Sequence, residues 1–434
     1  MAGRRLSSND VSVVIALAIV VLVLLLVYVA ERDQRGAEEP IVTDSAGARA
    51  LAGSAVAQPA LQARDGDERR AHATDGCGIE TAKAGQSATE ADAVVERQRE
   101  AALQAILPAL DARAEPRARA AALYFRATRE LFDTPQTDAC KSSPDSCAQP
   151  SPGRSDDRES AEALARLAAN SSDPQVYAWA YHSCARVSRQ VAGSCQLINA
   201  LQWARLDPAN AAPWLAVAQE AKRRRDAAGL DDAMFHVASA AIHDPGWGRV
   251  AAQMIEAVPD AERTSVGTWM AALAATDYET LDLPRFVEAS TYCDGRALAS
   301  ANRRDTCDKI AALLVDRSTT LIGRTVGLGL ARKLDWPAAR LAGAERERDA
   351  AYALDQRDAP RPGESITCAD VRRDLSRLVE IARVGEIEVL KRRIAASGES
   401  IDVLAAESRS AARSVREADA VGAAASAASA APGG

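Results

Sequence analysis

The sequence predicts an all-α protein: one N-terminal transmembrane helix followed by an irregular array of helix pairs. Three observations carry this prediction. An uncharged, proline-free run extends from Val11 to Ala30. Apolar residues recur at three- and four-residue spacing over roughly 89–397, with no alternating β-branched runs. Asp-Pro pairs stand at Asp173-Pro174, Asp207-Pro208 and Asp244-Pro245, 34 and 37 residues apart, as punctuation between helices.

The Val11–Ala30 run contains twenty residues, fifteen of them Val, Leu or Ile. As a helix it reaches about 30 Å, the hydrocarbon thickness of a bilayer. Its apolar side chains favour insertion by about 5 to 9 kcal/mol, and no central charge opposes them. A cleaved secretory leader has a shorter apolar region and small residues at its cleavage site. Tyr28-Val29-Ala30 puts a bulky ring there instead, so the helix is expected to stay as a signal anchor. Arg4 and Arg5 before it favour a cytoplasmic stub over 1–10, with the bulk translocated.

Arginine far exceeds lysine and alanine is abundant, a bias associated with GC-rich bacteria; the expected address is therefore the inner membrane, with the bulk in the periplasm. A net charge of −7 offers no basic field for nucleic acid. All eight cysteines lie beyond the anchor, as suits an oxidising compartment. Cys140 with Cys147, Cys184 with Cys195 and Cys293 with Cys307 are close in sequence, with turn residues between them, so short loop closure favours these disulfides. Cys77 and Cys368 are then left to each other. Zinc would need tight CxxC or Cys/His spacing, which is missing, so no metal or other cofactor is expected.

Residues 31–88 are rich in Ala, Gly, Asp, Gln and Arg without a sustained period and read as a flexible tether. The helical body follows over 89–397. Ala101–Leu110 and Arg119–Phe132 form its first pair, broken at Glu115-Pro116; a Pro- and Ser-rich loop from Asp133 to Asp157 carries Cys140 and Cys147; helices resume at Glu159–Ala169. From Trp247 to about Ile394 the helical pattern continues without an obvious period, its last helix running from Asp370 to Ile394. The tail, 398–434, is first charged, where it can stay helical, and then alanine-rich and disordered over Val421–Gly434.

The stretch from Asn210 to Pro245 has small residues where paired helices must approach and a tryptophan at the start of the first helix. Here the chain resembles the tetratricopeptide repeat family over about 174–245. Trp214, Val217, Ala218 and Ala221 match the family's first-helix packing positions. Gly229, Ala233, Val237, Ala240 and Pro245 match its turn and second helix. The interval from Trp214 to Ala233 is three residues longer than the family's, and the unit from Pro174 to Pro208 fits poorly at its second helix. A plain irregular helical domain is the alternative.

Other candidates have simpler structural readings. His236 and His243, seven apart, would share a face of a continuous helix but stand too far apart, at about 10 Å, for one metal. His182 and Cys184 would point to different faces, which leaves a structural cysteine. Gly323, Gly327 and Gly329 lack the Lys and Ser/Thr of a phosphate loop and read as close helix packing. The basic run Lys222–Arg225 meets Asp226, Asp231 and Asp232 and reads as a solvated turn; Trp179, Trp203 and Trp214 read as core. Glu364-Ser365 raises glycan cleavage, yet without the accompanying aromatic and glycine-rich motifs it reads as the start of a helix.

The expected function is a membrane-anchored periplasmic helical scaffold or protein-binding module, its partner an envelope or periplasmic protein, with no catalytic residues assigned. An envelope hydrolase or a structural spacer are the alternatives.

Overall fold

The strongest helix signals in the chain are its caps. Asp173, Asn199, Asn210, Asp226, Ser265, Thr320 and Thr367 each accept a backbone N–H two or three residues ahead and open a helix. The computed structural model describes residues 77, 88–133, 155–187, 193–283, 286–358 and 366–414. Its helices are α1 (Ala88–Asp111), α2 (Pro116–Asp133), α3 (Ser155–Ala169), α4 (Pro174–Arg186), α5 (Ala200–Leu206), α6 (Ala211–Arg223), α7 (Ala227–Ser239) and α8 (Arg249–Ala257). There follow α9 (Val266–Thr280), α10 (Phe286–Tyr292), α11 (Ala301–Arg317), α12 (Leu321–Lys333), α13 (Ala338–Asp358), α14 (Cys368–Val384), α15 (Glu386–Ser397) and, over 401–414, α16. Among the described residues there is no strand, only isolated β-bridges joining Asn210 to Ile242 and His243 to Ser318. The fold is all-α.

Two cores organise these helices. The first joins α1 to α4 with α8, α9 and α14 around Leu103, Tyr124, Phe125, Trp179 and Tyr181. The second joins α6 and α7 with α10, α11 and α12 around Leu215, Met234, Ile310 and Leu314. Helix α6 serves both, giving Ala212 and Ala216 to the first and Trp214, Leu215 and Ala218 to the second. Helix α16 buries Leu404 against Ala350 and Leu354 of α13, so the charged stretch after Ser397 packs as a helix.

A backbone seam crosses the junction of the two cores. Ala241 N–H donates to Ala209 O at 2.8 Å, Ala211 N–H to Ile242 O at 2.8 Å, Thr319 N–H to His243 O at 2.9 Å and Ile387 N–H to Thr319 O at 3.1 Å. Four segments distant in sequence are thus tied by main-chain bonds. At the same place Asn210 binds both Asp-Pro corners, its Nδ2 donating to Asp207 Oδ2 and Asp244 O while its Oδ1 accepts Asp244 N–H.

Two sequence expectations change here. The helix expected from Asp370 to Ile394 is two helices, because Gly385 lies at φ +86° and a Cβ there would stand 2.8 Å from Thr319 Cβ. His236 and His243 do not share a helix, since α7 ends at Ser239 and His243 belongs to the seam. No helix among the described residues is long and apolar enough to cross a membrane; the expected anchor, stub and most of the tether lie outside them, as do Cys140, Cys147, Glu364-Ser365 and Val421–Gly434.

Candidate functional site

Three of the expected cysteine pairs are disulfides: Cys184–Cys195, Cys293–Cys307 and Cys77–Cys368, with Cα atoms 5.3, 5.6 and 5.7 Å apart. The last joins residues 291 apart and is reinforced by Val266 N–H donating to Cys77 O, so the start of the body is held to both α9 and α14. Of the repeat-like set, Trp214, Ala218, Ala221, Ala233, Val237 and Ala240 are buried between α6 and its neighbours, while Val217, Gly229 and Pro245 are half-buried. Trp179 and Trp203 are core residues as well. His236 stacks on Trp214 with ring centroids 3.9 Å apart. Gly327 lets α12 close on α11, where a Cβ would lie 2.7 Å from Leu314 Cβ; Gly329 faces open space, so close packing explains one of these glycines and not the other. Lys222 and Arg223 end α6, and Arg224 and Arg225 form the exposed turn before α7, with Arg225 at φ 57°.

Sequence reasoning missed a buried polar network between α2, α4 and the end of α9. Tyr124 OH donates to Asp282 Oδ2 at 2.6 Å, and Arg186 Nη2 donates to Asp282 Oδ1 at 2.6 Å. His182 Nδ1 lies 2.9 Å from the same Oδ1. Arg186 also reaches Thr128 Oγ1 at 2.8 Å. Burial, and then the Asp282 charge, push the Tyr124 phenol well above its usual value. Several donors converge on this one carboxylate and tie α2, α4 and the end of α9 together. His182 and Asp282, with Trp203, His243 and Phe286, border a cavity with room for about one water molecule. Across it His243 bonds Ser318 Oγ at 3.0 Å, and burial lowers its pKa to about 4 against the pull of Asp244. The His–Asp geometry resembles half of a proton-relay pair, but in a space this small it orients helices and has no room for a substrate.

A second arrangement opens to solvent. Glu279, only 5% exposed on α9, accepts Gly248 N–H at 3.0 Å and Val250 N–H at 2.9 Å, closing the N-terminus of α8. Burial pushes its pKa up to about 8, although both N–H bonds and Arg249 pull it down. Glu386, on α15, likewise accepts Leu321 N–H at 2.7 Å at the start of α12 and is pushed up to about 7 by burial. Beside these clasps, where α8, α12 and α15 begin and α14 ends, a cleft of about 140 Å³ is lined by Trp247, Arg249, Asp244, Thr319, Arg383 and Glu386 among others. No group of acidic, histidine or cysteine side chains that could hold a metal occurs among the described residues.

Neither network could be read locally: Tyr124, Arg186 and Asp282, for example, are 62 and 96 residues apart. The only signal in the sequence was the scarcity of histidine, four in the chain, with two at one cavity. No protein family, no curated protein and no solved structure matches this chain.

Proposed function

We propose that the chain is a membrane-anchored binding module whose helical body stands outside the cytoplasm and docks a protein partner. The observation that carries this reading is the placement of large apolar side chains left exposed: Leu197 at 67%, Leu201, Phe235 at 61% and Ile242 all fall inside the repeat-like stretch 174–245, just before α5, on α5, on α7 and just after α7. Stacked helix pairs offer extended surfaces for peptide or protein segments, and exposed apolar residues are what such a surface needs. The three disulfides support an oxidising compartment, and the uncharged run Val11–Ala30 supports a single-pass anchor in a bacterial inner membrane.

Cross-linking in intact cells, followed by mass spectrometry, tests the reading against the Phe235→Asp variant, whose stability should change by no more than about 0.5 kcal/mol at so exposed a site. One envelope protein should be captured repeatedly by the native chain and lost with Phe235→Asp. Capture that is undiminished in the variant, or absent under all growth conditions, overturns it. A reporter fused to the C-terminus should be active only outside the cytoplasm; cytoplasmic activity removes the address.

A further inference from the structure

We infer that the face of α13 beneath α16 is a docking site for an acidic amphipathic helix of a partner protein, and that α16 is its resident occupant, held there intramolecularly until such a helix takes its place. Arg346, Ala350, Ala353, Leu354 and Arg357 fall on one side of α13 at helical spacing, so small and apolar side chains form the middle of the face and a guanidinium stands at each end. Helix α16 covers it with one large side chain, Leu404, fully buried against Ala350, Ala353 and Leu354, while its Ala405 and Ser408 are buried as well.

Charge sets how α16 lies. Asp402 and Arg409, seven residues apart and so on one side of the helix, pair with Arg346 at 3.3 Å and Asp349 at 3.1 Å. Glu399 and Glu407 meet the other end of the face, where Arg357 donates to Glu399 Oε1 at 2.6 Å and to Glu407 Oε1 at 2.9 Å.

The contact is thin. Where α14 buries Val371, Leu375, Leu378 and Ile381, α16 buries only Leu404 among its large apolar residues, and Ile401 and Val403 stay exposed. The ion pairs that complete it lie at the surface, with 38% of the Arg357 side chain and 43% of the Glu407 side chain accessible, so each is weak singly and screened by salt. Residues 398–400 alone join α16 to α15, and Gly398 turns there at φ +70° with nothing within 4 Å of a Cβ position. Ser400 Oγ accepts Val403 N–H, so the helix carries its own cap. Its fourteen residues match the length, about 12 to 15, at which an isolated helix is marginal in water, so α16 holds its shape through docking.

The kind of partner follows from what α16 presents to the face. From Asp402 to Ser408 the pattern is an acid, a leucine two residues on, a small residue next to it, a second acid and a second small residue. A helix of another protein with this pattern finds the same apolar seat and the same two guanidinium groups. The face lies on other elements than the exposed residues of α5 and α7, so its failure leaves the docking reading there intact, and the reverse.

Hydrogen exchange and peptide binding on the full-length protein test the inference. The probe is a synthetic peptide with the sequence of residues 398–414; its control carries Glu399→Gln, Asp402→Asn and Glu407→Gln. In the native chain, raising NaCl from about 0.02 to 0.5 M should speed amide exchange over 401–414 about 5- to 20-fold and leave α11 unchanged. In the full chain Leu404→Asp should release α16, speeding that exchange by at least about 10-fold. The freed face should then bind the probe with a Kd of about 0.05 to 1 mM, at least about 10-fold tighter than the native chain does, because tethered α16 competes at an effective concentration of about millimolar. The uncharged control should bind about 5- to 10-fold more weakly than the probe. Glu399→Gln together with Glu407→Gln, both at the surface, releases α16 by a second route should Leu404→Asp fail to fold. Exchange over 401–414 that ignores salt, no probe binding by the released variants, equal binding of probe and control, or dimers of the native chain in which a second copy supplies the helix overturns the assignment.

Discussion

Replacing Glu279 by Gln should turn one buried carboxyl into a measurable crossing of two stability curves. Glu279 offers two oxygens to the N–H groups of Gly248 and Val250. Below its folded pKa the carboxyl still has a carbonyl and a hydroxyl oxygen that can accept, whereas Gln turns an NH₂ toward one of the two amides, a mismatch of about 1 to 3 kcal/mol. The carboxyl has a second, pH-dependent effect. Its folded pKa is raised by burial from 4.5 to about 8, so folding takes up a proton between those values. A raised folded pKa gives stability that is fully present below the unfolded pKa and is lost as pH rises through the folded one. At about 1.4 kcal/mol per pH unit, the native chain should lose about 2 to 4 kcal/mol relative to Glu279→Gln between pH 5 and pH 8. The variant should therefore be the less stable protein at pH 5 and equal or more stable at pH 8. Urea unfolding of both chains at pH 5, 6, 7 and 8 reads this directly; other titrating groups, Glu386 and His243 among them, are common to both and cancel in the difference. Parallel stability curves would refute the account of a desolvated clasp.

Two further outcomes follow from packing and covalent topology. Gly327→Ala places a Cβ 2.7 Å from Leu314 Cβ and 2.8 Å from Val315 N, so α11 and α12 must separate; a loss of about 1 to 3 kcal/mol is expected in thermal unfolding, against little change for Gly329→Ala, which meets nothing within 4 Å. Removing Cys77–Cys368 as the double Ser variant opens a link across 291 residues and should cost about 2 to 5 kcal/mol in denaturant unfolding under oxidising conditions, while the double Ser variant of Cys293 and Cys307, only 14 apart, should cost less in the chain-entropy account.

Much of the fold was legible because its signals are local. The cap Asp173 acts within one turn, and α4 begins at Pro174 as the Asp173-Pro174 punctuation implies. Pro116 opens α2 as the break at Glu115-Pro116 implies. Cys184–Cys195 and Cys293–Cys307 follow from short loop closure, and Cys77–Cys368 from what those leave over. The candidate sites were far less legible. Tyr124, Arg186 and Asp282 lie on segments that only the packing of α2, α4 and α9 brings together.

The misread elements fall in one region, and the reason is physical. Helix α7 stops at Ser239 because the chain beyond it is recruited by main-chain bonds to Ala209 and, through His243, to Thr319. The helix expected to reach Ile394 breaks at Gly385 because Thr319 stands where a Cβ would go. Both errors arise where the local 3.6-residue period is overruled by segments more than thirty residues away meeting at the junction of two cores: Ala209 and Ala241 are 32 positions apart by number, Thr319 and Ile387 68. Backbone that leaves its helix to pair across a junction cannot fill space as densely as packed helices do, so an opening lined by helix ends and polar side chains is the expected by-product. The cleft lies at that junction, bordered by Asp244, Thr319 and Gly385 themselves. The departures from sequence periodicity and the cleft thus have one origin, the seam that joins the two cores.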